Sequence, residues 1–143
     1  MMKRRLSIAL LPILLLGGCG LAPDLPDDPI AFEAGSYAPA DDPTDSYVAL
    51  GYQGRTYIPY GTIHGTMRRK DVGACLGYYV QDGTAYEDVR ICLIADDPAA
   101  NWLVQIETGG EMAQPAFYRA VDTVGQDIPT PDYIEDLGYA FWG

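Results

Sequence analysis

Residues 47–60, YVALGYQGRTYIPY, decide the fold. Val48, Leu50 and Tyr52 recur at every second position, so they share one face of an extended chain. Thr56, Ile58 and Tyr60 repeat the pattern after Gln53-Gly54, a turn signal. Two alternating runs joined by two turn residues predict a β-hairpin with strands over 47–52 and 55–60. Pro59 has no N–H to donate, so the second strand is expected to lie at an edge or to end there.

The same texture continues toward the C-terminus. Residues 75–80 (CLGYYV) and 89–95 (VRICLIA) are apolar runs separated by Asp82-Gly83, which predicts a second hairpin with a longer loop. Asp96-Asp97-Pro98 marks a turn. Residues 102–107 (WLVQIE) read as a fifth strand, broken by Gly109-Gly110, and 117–124 (FYRAVDTV) as a weaker sixth. Thr130-Pro131 predicts a short terminal helix to about Leu137, with Gly138 as its stop. Tyr139, Phe141 and Trp142 are expected to pack onto the sheet. The fold class that follows is mostly β: a small antiparallel barrel or sandwich built from hairpins, with a short C-terminal helix.

A hairpin centred near Gly83 and Thr84 brings Cys75 opposite Cys92, at the spacing that adjacent strands supply for a disulfide. The alternative is a pair of buried free thiols. Metal binding is not expected, because two cysteines have no third and fourth ligand at suitable spacing.

The N-terminus has a different composition. Lys3, Arg4 and Arg5 precede residues 6–16 (LSIALLPILLL), an apolar run interrupted only by Ser7 and Pro12. It is shorter than the roughly 20 residues a membrane-spanning helix takes. Leu16-Gly17-Gly18-Cys19 follows, and this succession resembles the lipobox of bacterial lipoproteins. The resemblance covers about the first 19 residues. It implies that residues 1–18 are a signal peptide cleaved before Cys19. It also implies that the Cys19 thiol carries diacylglycerol and that the new amine is open to acylation, as by palmitate. The implied location is the bacterial cell membrane or outer membrane, lipid-anchored and facing the extracytoplasmic side. That compartment permits disulfides.

Residues 19–44 hold Pro23, Pro26, Pro29, Pro39 and Pro43 among Asp24, Asp27, Asp28, Asp41 and Asp42, and read as an extended Pro/Asp-rich tether. Residues 45–143 then form a single small β domain. With residues 1–18 removed, six basic side chains remain against twenty acidic ones, a difference of −14. Such a surface repels nucleic acid, which is excluded as a partner. Attachment to a membrane must come from lipid rather than charge.

No catalytic constellation is legible. His64 is the only histidine, and Ser36 and Ser46 are the only serines outside the signal; neither serine has a nucleophile-elbow pattern. Glu87-Asp88 and Glu135-Asp136 are neighbours, which on a strand point to opposite faces, so neither pair supplies an acid–base cleft. Arg68, Arg69 and Lys70 form the one basic cluster of the acidic part, a contact for an anion or acidic partner or else a solvated loop. Tyrosine is abundant, at 11 residues, and suits both recognition faces and small β cores. A recognition face would use Tyr57, Tyr60 and Tyr79. The expected function is a non-catalytic binding domain without cofactor or metal, anchored to the membrane and meeting an envelope protein or the cell wall. The alternatives are an envelope-acting hydrolase working through His64 and a carboxylate, or a protective lipoprotein occupying a toxin or protease.

Overall fold

The computed structural model describes residues 21–109 and 114–143. The expected signal peptide (residues 1–18), the expected lipidation site Cys19, and Gly110 of the expected Gly109-Gly110 break lie outside the described residues. Among the described residues, nine strands form the body: β1 (Ile30–Glu33), β2 (Gly35–Tyr37), β3 (Tyr47–Tyr52), β4 (Arg55–Ile63), β5 (Val72–Gln81), β6 (Thr84–Ile94), β7 (Trp102–Glu107), β8 (Ala116–Ala120) and β9 (Ile134–Asp136). They join in the order β1-β5-β6-β7-β8-β4-β3-β2, with β9 beside β4, as a nearly closed barrel-like sheet.

Both predicted hairpins are present with two-residue turns. Gln53 and Gly54 have φ of 51° and 77°, and Asp82 and Gly83 have 52° and 79°. Two successive positive φ values give the turn whose twist matches paired strands. The second hairpin has a shorter loop than expected, because Thr84, Ala85 and Tyr86 pair with Gln81, Val80 and Tyr79. Continued without interruption, that register would set Cys75 opposite Arg90. Irregularities along β5 instead move it opposite Cys92, and the two form a disulfide. Such bulges also increase strand twist, which helps a sheet curl toward closure.

Pro59 lies within β4 rather than at its end. Along one edge β4 pairs with β3 through Tyr57 and with β9 from Gly61. Pro59 falls between the two partners, beside a register shift toward β8, where no ladder donor is required.

Residues 21–37, expected within a tether, belong to the folded body. β1 lies parallel to β5, β2 lies antiparallel to β3, and only Ala34 separates them. One extended segment thus bridges the two edges of the sheet. The Ala34 N–H donates to the Val80 carbonyl at 2.7 Å. Phe32 carries this segment into the interior and is 2% exposed, a burial worth roughly 2–3 kcal/mol.

Two apolar clusters follow from strand alternation. Phe32, Leu50, Tyr57, Ile91, Leu103, Tyr118 and Ala120 form one. Because they come from strands all around the sheet, they fill its enclosed side. Trp102, Val104 and Ile106 of β7 point the other way, with Phe117, Cys75, Cys92 and Ile134. This second cluster is covered by Leu21, Ala22 and Leu25 from the N-terminal side and by Ile128, Tyr133 and Trp142 from the C-terminal side. β7 is therefore apolar on both faces, which explains its nearly unbroken hydrophobic run.

The expected C-terminal helix is absent. A single turn, in which the Ile134 N–H donates to the Pro131 carbonyl, leads into β9. Eight residues fall short of the ~12–15 that make a helix even marginal by itself. The free edge of β4 beyond Pro59 offers Ile134 both backbone partners and an apolar face. A short 3-10 turn at Ala140–Trp142 follows. It brings Trp142 over the guanidinium of buried Arg119, 4.7 Å away, and lets its indole N–H donate to the Pro59 carbonyl. The expected sixth strand likewise stops at Ala120 and turns through Val121–Thr123, where the Thr123 hydroxyl donates back to the Ala120 carbonyl.

A candidate acidic cleft around Tyr133

A cleft of about 540 Å³ opens between the Asp96-Asp97-Pro98 turn, which precedes β7, and the Pro129–Tyr133 segment, which precedes β9. Trp102 holds both walls. Its backbone N–H donates to Asp97 Oδ2 at 3.0 Å, and its indole N–H donates to the Pro129 carbonyl at 3.2 Å. Asp71 joins from the 3-10 turn Arg69–Asp71, where the Ala95 N–H donates to its carbonyl. Asp96 and Ala100 both have positive φ, 63° and 52°. That conformation is uncommon away from glycine, and here it shapes the wall of the cleft.

Tyr133 stands at the junction of this cleft with a smaller hollow. Its ring packs on Phe117 at 5.7 Å. Burial, then the charges of Asp71, Asp97, Asp96 and Asp132, push its hydroxyl pKa up to about 12. The phenol is neutral at physiological pH with or without this shift. Asp71, Asp96, Asp97 and Asp132 line the cleft with it, together with apolar residues that include Ile94, Pro129 and Pro131. The chemistry that such a surface accepts is cationic, with an apolar portion beside the charge. Among the described residues, no three His, Cys, Asp or Glu side chains are grouped so as to hold a metal ion.

The smaller hollow is lined by His64, Thr66, Arg68, Asp71, Asp132 and Tyr133. His64 Nδ1 is 3.6 Å from Glu135 Oε1, with both side chains exposed. The His64 N–H donates to the Tyr133 carbonyl, so β4 and the β9 segment place the ring here. Neither Ser36, on β2, nor Ser46, just before β3, lines this hollow.

The residues expected to form a recognition face are not together. Tyr57 is fully buried in the barrel interior, and its hydroxyl donates to the Ala100 carbonyl at 2.6 Å. Tyr60 lies in the other cluster, 9% exposed, with its ring edge-on to Trp102. The irregular register after Pro59 and the odd spacing of the two tyrosines send them to opposite faces. Tyr79 is half-buried, and its hydroxyl donates to Gln81 Oε1. Arg68, Arg69 and Lys70 are exposed. The Arg68 N–H donates to Asp71 Oδ2, so the basic cluster adjoins an acidic residue of the cleft.

The cleft itself escaped the sequence reading. Asp96-Asp97-Pro98 and Pro129-Thr130-Pro131-Asp132 are each ordinary turn sequences, and only the pairing of β4 with β9 and β8 brings them together. Fold and site define a small disulfide-bonded β-barrel domain with an acidic cleft. No family model matches the chain, and neither does any curated protein or solved structure.

Proposed function

We propose that the chain is a lipid-anchored bacterial envelope protein whose barrel is a non-catalytic binding domain, with the acidic cleft as its ligand site. The anchor rests on the succession from Lys3 to Cys19. The observation that carries the binding reading is that Asp71, Asp96, Asp97 and Asp132 line one cleft with Tyr133 and with the apolar residues Ile94, Pro129 and Pro131. Such a site selects a basic segment of an envelope protein, or a cationic portion of the cell wall, and rejects polyanions.

An array of lysine- and arginine-containing dodecapeptides, with glutamate-substituted controls, tests the cleft. Wild-type protein is expected to retain a subset of basic peptides, more weakly as salt rises. The D96N/D132N variant should lose at least tenfold in affinity, which is about 1.4 kcal/mol. Equal retention by wild type and variant rejects the cleft as the site.

The geometry at His64 favours one second reading, a hydrolase acting on envelope material, since His64 and Glu135 approach within 3.6 Å beside a hollow. An H64A variant that keeps full activity on such material would end it.

A further inference from the structure

We infer that the barrel is seated directly on the lipid surface, with no spacer between them; this rests on the lipid-anchored reading above. The segment beginning at Leu21 is fastened to the body. Ala22 is 7% exposed, and Leu21 and Leu25 pack on the outer apolar cluster. Arg90 Nη1 donates to the Pro23 carbonyl at 2.7 Å. From Ile30 the chain becomes the segment that bridges both edges of the sheet. Residues 21–29 can pay out as slack only by giving up these contacts, and residues 30–37 only by opening the sheet.

Cys19 stands two residues before Leu21. Two residues span at most about 7 Å, whatever their conformation. That is comparable with the headgroup layer on one side of a bilayer, roughly 5–7 Å. An extended tether over residues 19–44 would instead reach on the order of 80 Å at about 3.1 Å per residue. The difference is between a domain that touches headgroups with one fixed face and a domain that swings freely above them. Asp24, Asp27 and Asp28 are exposed beside the point of entry. Their charge disfavours anionic headgroups within a Debye length of about 8 Å, so the surface that fits is zwitterionic.

Neutron reflectometry of the lipidated full chain on phosphatidylcholine bilayers measures the water layer between lipid and protein. The comparison is a variant carrying twelve Gly/Ser residues inserted between Gly20 and Leu21. Wild type is expected to show no resolvable water layer and the insertion variant a distinct one. A layer of equal thickness in both, with lipid present on Cys19, overturns the seating and leaves the anchor standing. Mass spectrometry of the same samples separates the two readings, because an unmodified Cys19 overturns the anchor itself.

Discussion

Arg55 and Asp122 form a two-point ion pair, with Nη2 and Nε of the guanidinium donating to the two carboxylate oxygens at 2.8 and 3.0 Å. The same guanidinium donates to the carbonyls of Ala99 and Ala100 and to Asn101 Oδ1. Tyr57, two residues along β4, donates its hydroxyl to the Ala100 carbonyl as well. The first hairpin thereby holds the loop entering β7, including the positive φ of Ala100, and the turn that follows β8. That loop is also one wall of the cleft.

Removing the two partners should therefore have unequal effects. D122N weakens one well-solvated pair and is expected to cost about 0.5–1 kcal/mol. R55M also strips carbonyl partners from the loop and should cost about 2–3 kcal/mol. The Arg55 hydrogen bond holds the Asp122 carboxyl below its ordinary pKa. A lowered folded-state pKa contributes stability that is present above the unfolded value of about 3.9 and is lost as pH falls through the folded value. Urea titrations should thus show the D122N deficit at pH 7 and its disappearance in strong acid. A deficit that persists unchanged there would mean that the charge is not its source.

The Cys75–Cys92 disulfide closes a loop of sequence separation 17. The chain-entropy account gives about 3 kcal/mol for a loop of this size. The C75A/C92A variant should fold to the same barrel with a urea midpoint lowered accordingly. Reduction of wild type under native conditions should give the same midpoint. If both changes leave the midpoint in place, the bridge does not constrain the unfolded chain.

Much of the barrel was legible because strand alternation is local. The strand over 47–52 and the strand over 102–107 match their predicted bounds. What escaped depends on distant partners. Ile30-Ala31-Phe32 is too short an apolar run to stand out among prolines and aspartates, and its partners begin at Gly77. Residues 134–136 carry a weak helical pattern that the open edge of β4 overrides. Tyr57 and Tyr60 looked available for recognition, because a β-rich sequence does not separate a core tyrosine from a surface one when both faces of the sheet are covered.

Tyrosine burial predicts an alkaline limit to stability. Burial raises the Tyr118 pKa far above its ordinary value, while its hydroxyl donates to Gln105 Oε1 at 2.7 Å. Tyr133 is raised to about 12, chiefly by burial. For a raised group, stability is full below the unfolded pKa of about 10 and is lost as pH climbs toward the folded value, since the unfolded chain ionises first. Stability should fall between about pH 10 and 12, and Y118F should fall less steeply. Absorbance of phenolate at alkaline pH, followed together with unfolding, checks this. Ionisation of all tyrosines well before unfolding would contradict it.

Two glycines dock two of the three strands that sequence reading missed, β1 and β9, and each supplies a direct test. A Cβ on Gly77 would collide with the Ile30 backbone, and one on Gly61 with the Glu135 carbonyl. Neither collision can be relieved by turning a side chain, because the obstacle is main chain. G77A should therefore push β1 off β5 and loosen the bridging segment, exposing residues 21–37 to limited proteolysis while the disulfide-bonded hairpin remains. G61A should instead release β9 and the wall of the cleft that carries Tyr133. Buried substitutions with such clashes typically cost about 1–3 kcal/mol. Hydrogen exchange separates local from global loss. G77A should speed exchange at Ala34, whose N–H bonds Val80, and leave Leu137 near its original rate. G61A should do the reverse at Leu137, whose N–H bonds the Tyr60 carbonyl. Uniform acceleration at both sites in either variant would show that the two docks are not independent, and that the barrel opens as one unit.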